Sequence, residues 1–131
     1  MSNHIYYDKR EDFWRKHWAQ ASEYDDFILE QDQSHAEKWR ILEQRIPELT
    51  QEQIERLQGY DRELNILIYG GIWCPDCQRQ APMIKKITET IGPIAHIRII
   101  DRDTSKELKD ELRILGATRV PMIVILSLIH I

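Results

Sequence analysis

A chain of 131 residues, 42% hydrophobic and 31% charged, has room for one compact domain with an extension; it is too short for two full domains and too apolar for a disordered chain. A formal charge of −4 argues against nucleic-acid binding by charge alone, and the last apolar run, Val120 to Ile131, is too short to span a bilayer. No charged-then-apolar leader opens the sequence, so the expectation is a cytoplasmic protein in a reducing compartment, where a stable structural disulfide is disfavoured.

Glu11 to Leu29 reads as one helix, with Phe13, Trp14, His17, Trp18, Ala21, Tyr24 and Ile28 recurring at steps of three and four. Gln31-Asp32-Gln33 breaks the pattern. Ser34-His35-Ala36-Glu37 has the capping-box form and predicts a second helix from His35 to about Arg45, carrying Trp39, Leu42 and Ile46 on one face and stopped by Pro47. Thr50-Gln51-Glu52-Gln53 is another capping box. It opens a short helix through Leu57, with Gly59 assigned a left-handed C-terminal cap. Residues 1–60 are thus expected to form an all-helical extension without a large core of its own. Its Trp14, Trp18 and Trp39 rings pack together or against the remainder of the chain, the alternative being a partner groove.

The near-continuous apolar run Leu64 to Tyr69 predicts a strand buried on both faces. After Gly70-Gly71 comes Trp73-Cys74-Pro75-Asp76-Cys77, which holds both cysteines of the chain. Cys77 to Ile91 reads as a helix kinked by Pro82 and ended by Gly92-Pro93. Ile94 to Ile100 is the next strand and Asp101 to Thr104 a turn. Ser105 to Leu115 is a helix closed by Gly116, and Arg119-Val120-Pro121 leads into a strand from Met122. Helices followed by β-α-β-α-β indicate an α/β sheet, in a domain over 61–125.

Residues 126–131, Leu-Ser-Leu-Ile-His-Ile, are also the translation of CTG TCT CTT ATA CAC ATC, which resembles a transposase adapter used in preparing sequencing libraries. They are expected to be a non-native tail, which removes His130 from consideration; the alternative is a genuine apolar strand.

Two thiols separated by two residues, at a strand-to-helix turn, read as a redox pair. Cys74 should sit before the helix, exposed and facing unpaired N–H groups, and so act as the attacking thiol. Cys77 should lie in the first turn, more buried, and resolve the mixed disulfide. The helix dipole favours an anion there by about 0.3–1 kcal/mol, up to ~2 when partly buried, which lowers a thiol pKa by about one unit from ~8.5. A less basic thiolate is also a weaker nucleophile, so the larger gain is expected from Cys77 acting intramolecularly. Pro75 suits the first helical position. Asp76 stabilises the helix start, but its charge is expected to oppose ionisation of Cys74. The competing readings are an inert pair and a zinc site. Structural zinc wants four ligands, and His4, His17, His35 and His96 do not stand at knuckle-like spacing, so no metal is expected.

Together, the apolar strand, Trp-Cys-x-x-Cys, Pro82 five positions after the second cysteine, the strand ending in Asp101 and the Val120-Pro121 pair resemble the thioredoxin family over about Leu64 to Ile125. The helical front end resembles thioredoxin-family proteins of bacterial type more than short housekeeping thioredoxins. The resemblance implies a thioredoxin-like three-layer sandwich, incomplete at its C-terminal end. It implies a cis Pro121 beside the cysteines, a Val120 backbone that pairs with an extended substrate, and a Trp73 that shields the disulfide. The family usually carries a buried Asp six positions before the first Cys, where this chain has Ile68. The expected function is a thiol–disulfide oxidoreductase reducing protein or small-molecule disulfides, with no cofactor beyond the Cys74–Cys77 disulfide. An external reductant, such as a thioredoxin reductase or the glutathione system, recycles it. The alternative is a redox-sensing or partner-binding module with little turnover, which Ile68 favours. Neither nucleic acid nor membrane is an expected partner.

Overall fold

The computed structural model describes residues 10–113 and 116–126. The elements run α1 (Glu11–Gln20), β1 (Ser22–Glu23), α2 (Tyr24–Leu29), α3 (Gln33–Glu43), α4 (Gln51–Gln58), β2 (Leu64–Gly70), α5 (Pro75–Ile91), β3 (Ala95–Asp101), a 3-10 turn (Arg102–Thr104), α6 (Lys106–Glu111) and β4 (Met122–Leu126). The four strands form one sheet in the order β1-β3-β2-β4. β2 and β3 are parallel, joined by α5, while β1 and β4 run antiparallel to β3 and β2.

β2 supplies the centre of the sheet, and its apolar run is buried on both faces because each face has its own helices. Ile66 and Ile68 join Tyr24, Phe27, Ile28, Trp39, Ile97, Ile99 and both cysteines in one cluster. Leu67 and Tyr69, one residue out of phase, join Trp18, Ala21, Ile100, Leu108 and Leu112 in the other. Helices α2, α3 and α5 cover the first face and α1 and α6 the second, giving three layers. Fully burying one such side chain stabilises by about 1.5–3 kcal/mol, so a strand buried on both faces anchors the whole arrangement.

The single helix expected over Glu11 to Leu29 is two helices. α1 stops at Gln20 and Ala21 turns extended, with ψ 151°, so that Ser22 and Glu23 pair with Ile99 and Arg98. Arg98 ends α1 by donating to the Trp18 carbonyl at 2.8 Å, with its guanidinium 4.7 Å from the Trp18 ring centre. The stripe that looked continuous serves two faces: Trp18 and Ala21 pack on one side of the sheet, Tyr24 and Ile28 on the other. The first sixty residues are therefore not all helical. Trp18 and Trp39 pack against the sheet on opposite faces, and Trp14 lies against the Trp18 cluster.

Capping differs from expectation at two points. The cap of α3 is Asp32, not Ser34: its carboxylate accepts from the His35 N–H at 3.1 Å, and the Ser34 hydroxyl donates to the same oxygen at 2.8 Å. The His35 ring first, then these two donors, hold the Asp32 carboxyl well below the usual Asp range. The Thr50–Gln53 box forms in both directions, at 3.1 and 2.9 Å. Gly59, however, ends α4 at φ −80°, in the right-handed region, so no left-handed cap forms there. α6 ends at Glu111, short of Leu115, which lies outside the described residues. Leu126, where the tail was expected to begin, is the last residue of β4, buried and paired with Asn65; residues 127–131 lie outside the described residues. Among the described residues, no helix is long and apolar enough to cross a membrane.

Candidate functional site

β2 delivers the chain to Gly70, and both glycines at its end are required by close approach. A β-carbon on Gly70 would stand 2.8 Å from Cys77 Sγ, and one on Gly71 would stand 2.5 Å from the Trp73 indole nitrogen. The sulfur therefore sits against the bare end of the strand, and the indole lies over bare backbone. The loop is tied twice more. The Cys74 N–H donates to the Gly71 carbonyl at 3.2 Å, and the buried Gln78 side chain donates to the Ile72 carbonyl at 2.7 Å.

Cys74 is the N-cap of α5 and Pro75 its first residue, as the position of a proline without N–H demands. The cap is a sulfur: Cys74 Sγ accepts from the Cys77 N–H at 3.3 Å. The same sulfur stands 4.0 Å from the Val120 carbonyl oxygen, to which a thiol can donate weakly. Val120–Pro121 is a cis peptide, and both residues are half-buried. The sequence thus brings together in space three segments, the Gly70–Trp73 loop, the first turn of α5 and the Val120–Pro121 loop.

The expected exposure of Cys74 does not hold. Cys74 is 5% exposed and Cys77 1%. The capping geometry turns the first sulfur inward over the helix, into the cluster that contains Ile72, Cys77 and Ala81, with Val120 packed against it. What is exposed is the rim: Pro75, Asp76 and Trp73, the last at 40%. Both cysteines are thiols. The Cys77 thiol is pushed up to about 12, first by burial and then by its hydrogen bond with Cys74; the Gly71 backbone opposes the rise. Ile68 lies buried in the same cluster, so the sheet beneath Cys77 presents hydrocarbon where an acid would otherwise assist. Asp76 points its carboxylate at Arg79, 2.5 Å away, and is the last of the influences raising Cys77.

Two contributors were not foreseen. Gln78 lies four residues after Cys74 and one helical turn on, so its place on the loop-facing side was available from spacing alone. Arg102 was not: its guanidinium lies 4.4 Å from the Trp73 ring centre, across a gap of 29 residues in sequence. The histidines are dispersed. His17 packs on Phe13, His35 on Asp32 and His96 near Glu63, while His4 lies outside the described residues. Among the described residues, no three His, Cys, Asp or Glu side chains gather as a metal site.

A family model described as thioredoxin matches residues 21–128. Two solved structures share the fold, each with a TM-score of 0.76 and 19% identity, over 88% of this chain and 70% of theirs: a protein of unknown function from Pseudomonas aeruginosa and an HIV epitope-scaffold. No curated protein matches. The match begins at residue 21, where the chain enters β1, and so takes in the segment before Leu64 that the sequence motifs alone did not reach.

Proposed function

The chain belongs to the thioredoxin family, and from that premise we propose that it is a cytoplasmic thiol–disulfide oxidoreductase that reduces disulfides through Cys74 and Cys77. The observation that carries the reading is the sulfur-capped helix: Cys77 N–H at 3.3 Å and the Val120 carbonyl at 4.0 Å from one sulfur. The Val120 main chain beside it suits an extended client, pairing with backbone more than with sequence.

In the proposed exchange, the Cys74 thiolate attacks one sulfur of a client disulfide; the client S–S bond breaks, a mixed disulfide forms and the other client sulfur leaves as a thiolate. Cys77 then loses its proton and attacks Cys74 Sγ, releasing the second client thiol and closing Cys74–Cys77. The client gains two electrons and two protons, and an external thiol reductant returns both electrons to the pair. Trp73 shields the newly closed disulfide from water; Pro75, Asp76 and Pro121 shape the loops around it.

A second reading, a redox-sensing or partner-binding module with little turnover, is favoured by one observation. Cys77 must ionise to resolve the mixed disulfide, yet its thiol is pushed up to about 12 and Ile68 offers no base. An insulin-type reduction assay separates the two. The reductase reading expects multiple turnovers in the wild type, none with Cys74→Ser, and a trapped mixed disulfide with Cys77→Ser. A wild-type protein that forms its disulfide once, without turnover, sinks the reading.

A further inference from the structure

Resting on the reductase reading, we infer that the protein selects disulfides flanked by acidic peptide, and that a basic groove beside Trp73 is the surface that recognises them. The groove, of about 360 Å³, runs along the 3-10 turn and α6. Arg102, Lys106, Lys109 and Arg113 line it, against two carboxylates, Asp103 and Asp110. Arg102 is held by Asp103 at 3.3 Å and Arg113 by Asp110 at 3.4 Å. Among the described residues, Lys106 and Lys109 form no ion pair, and both are exposed. The groove therefore carries an excess of two positive charges on a chain whose net charge is −4.

Its position gives the charge a use. Arg102 is at once a wall of the groove and the cation stacked on Trp73, the residue before Cys74. Arg119, also exposed, precedes Val120. Asp76, the carboxylate closest in sequence to Cys74, is already engaged by Arg79. A client that extends from Cys74 past Trp73 and Arg102 thus reaches the groove, where Lys106 and Lys109 form no ion pair among the described residues. Carboxylates on the client are attracted there and Lys or Arg repelled, an effect on encounter rate and on choice of partner that salt weakens.

The test uses three peptide disulfides of equal length flanked by Glu, by Ser or by Lys. At low ionic strength, kcat/KM for the Glu peptide is expected to exceed that for the Lys peptide by roughly fivefold, and about 0.5 M salt should abolish most of the difference. The double change Lys106→Glu with Lys109→Glu should invert the preference between the Glu and Lys peptides. A second measurement needs no turnover: anisotropy of a fluorescent, cysteine-free Glu peptide, whose binding the same double change should weaken. Equal rates for all three peptides, together with binding indifferent to the Lys changes, reduce the groove to an ordinary solvated face and overturn the inference. If no peptide is reduced, the reductase reading fails and anisotropy alone decides for or against the groove.

Discussion

On the face of the sheet that carries α5, the buried polar groups are matched in pairs. The Trp39 indole N–H donates to the Tyr24 hydroxyl at 2.8 Å, that hydroxyl donates to Glu43 at 2.7 Å, and Gln78 holds the Ile72 carbonyl. On the face that carries α1, both nitrogens of the buried His17 ring and the Arg98 Nε make no hydrogen bond among the described residues, although Arg98 Nε lies 3.4 Å from a Glu23 carboxylate oxygen. The nearest carboxylate to His17 is Glu107, at 3.7 Å. The sulfurs thus sit on the side where, among the described residues, the buried side-chain polar contacts are complete, and a fully paired surround fixes geometry where a partly paired one leaves it free. The price of that order is a buried thiol with no base under it.

Three substitutions probe the contrast. The largest effect should come from Trp39→Ala, which empties the centre of the α5 face and removes the indole donor to the Tyr24 hydroxyl. A loss of about 3–5 kcal/mol is expected in denaturant unfolding. A loss under about 1 kcal/mol would mean that the α3 layer is not anchored as described.

The next probe is alkaline. Burial raises the Cys77 thiol from 9.0 to about 12, so the folded state keeps a proton that the unfolded chain gives up. Stability from this group is complete below 9.0 and is lost as pH climbs through about 12. Cys77→Ala should flatten the fall in unfolding midpoint across that window, relative to the reduced wild type. An unchanged slope would assign the alkaline loss to other groups, such as Tyr24, whose hydroxyl burial also raises.

The smallest effect has the opposite sign and the opposite face. Burial lowers the His17 pKa from 6.5, against the pull of Glu107 and with a push from Lys16. The unfolded chain therefore takes up the proton first, and stability complete above 6.5 is lost as pH falls below it. His17→Leu should narrow the difference in Tm between about pH 7.5 and pH 5. A variant that keeps the wild-type acid dependence would detach His17 from the contrast.

How much of this was legible in the sequence depended on whether a signal was local. The Thr50–Gln53 box, Pro75 at the head of α5 and the two-faced burial of β2 needed only neighbours and period, and each was readable. The break at Ala21 was not, because a 3.6-residue stripe records that a side chain is buried, without saying on which side of a sheet. Ser34 lost its cap to Asp32 because two good capping residues stood two positions apart and the carboxylate gained the His35 ring as a further partner. The nearness of the two cysteines followed from their spacing, but the burial of Cys74 depended on Ile72 and Val120, the latter distant in sequence. The placement of Arg102 on Trp73 likewise depends on how the end of β3 meets the loop after β2.

The crossing at Ser22–Glu23 has a consequence for how the protein can be shortened. The family match starts at residue 21, which invites a trimmed version beginning there. Yet the first helix packs over one face of the sheet, and cutting at that boundary would strip Trp18 from Arg98 and leave Leu67 and Ile100 covered by α6 without α1. A shortened version that keeps this cover begins a full helix earlier than the region of recognised likeness.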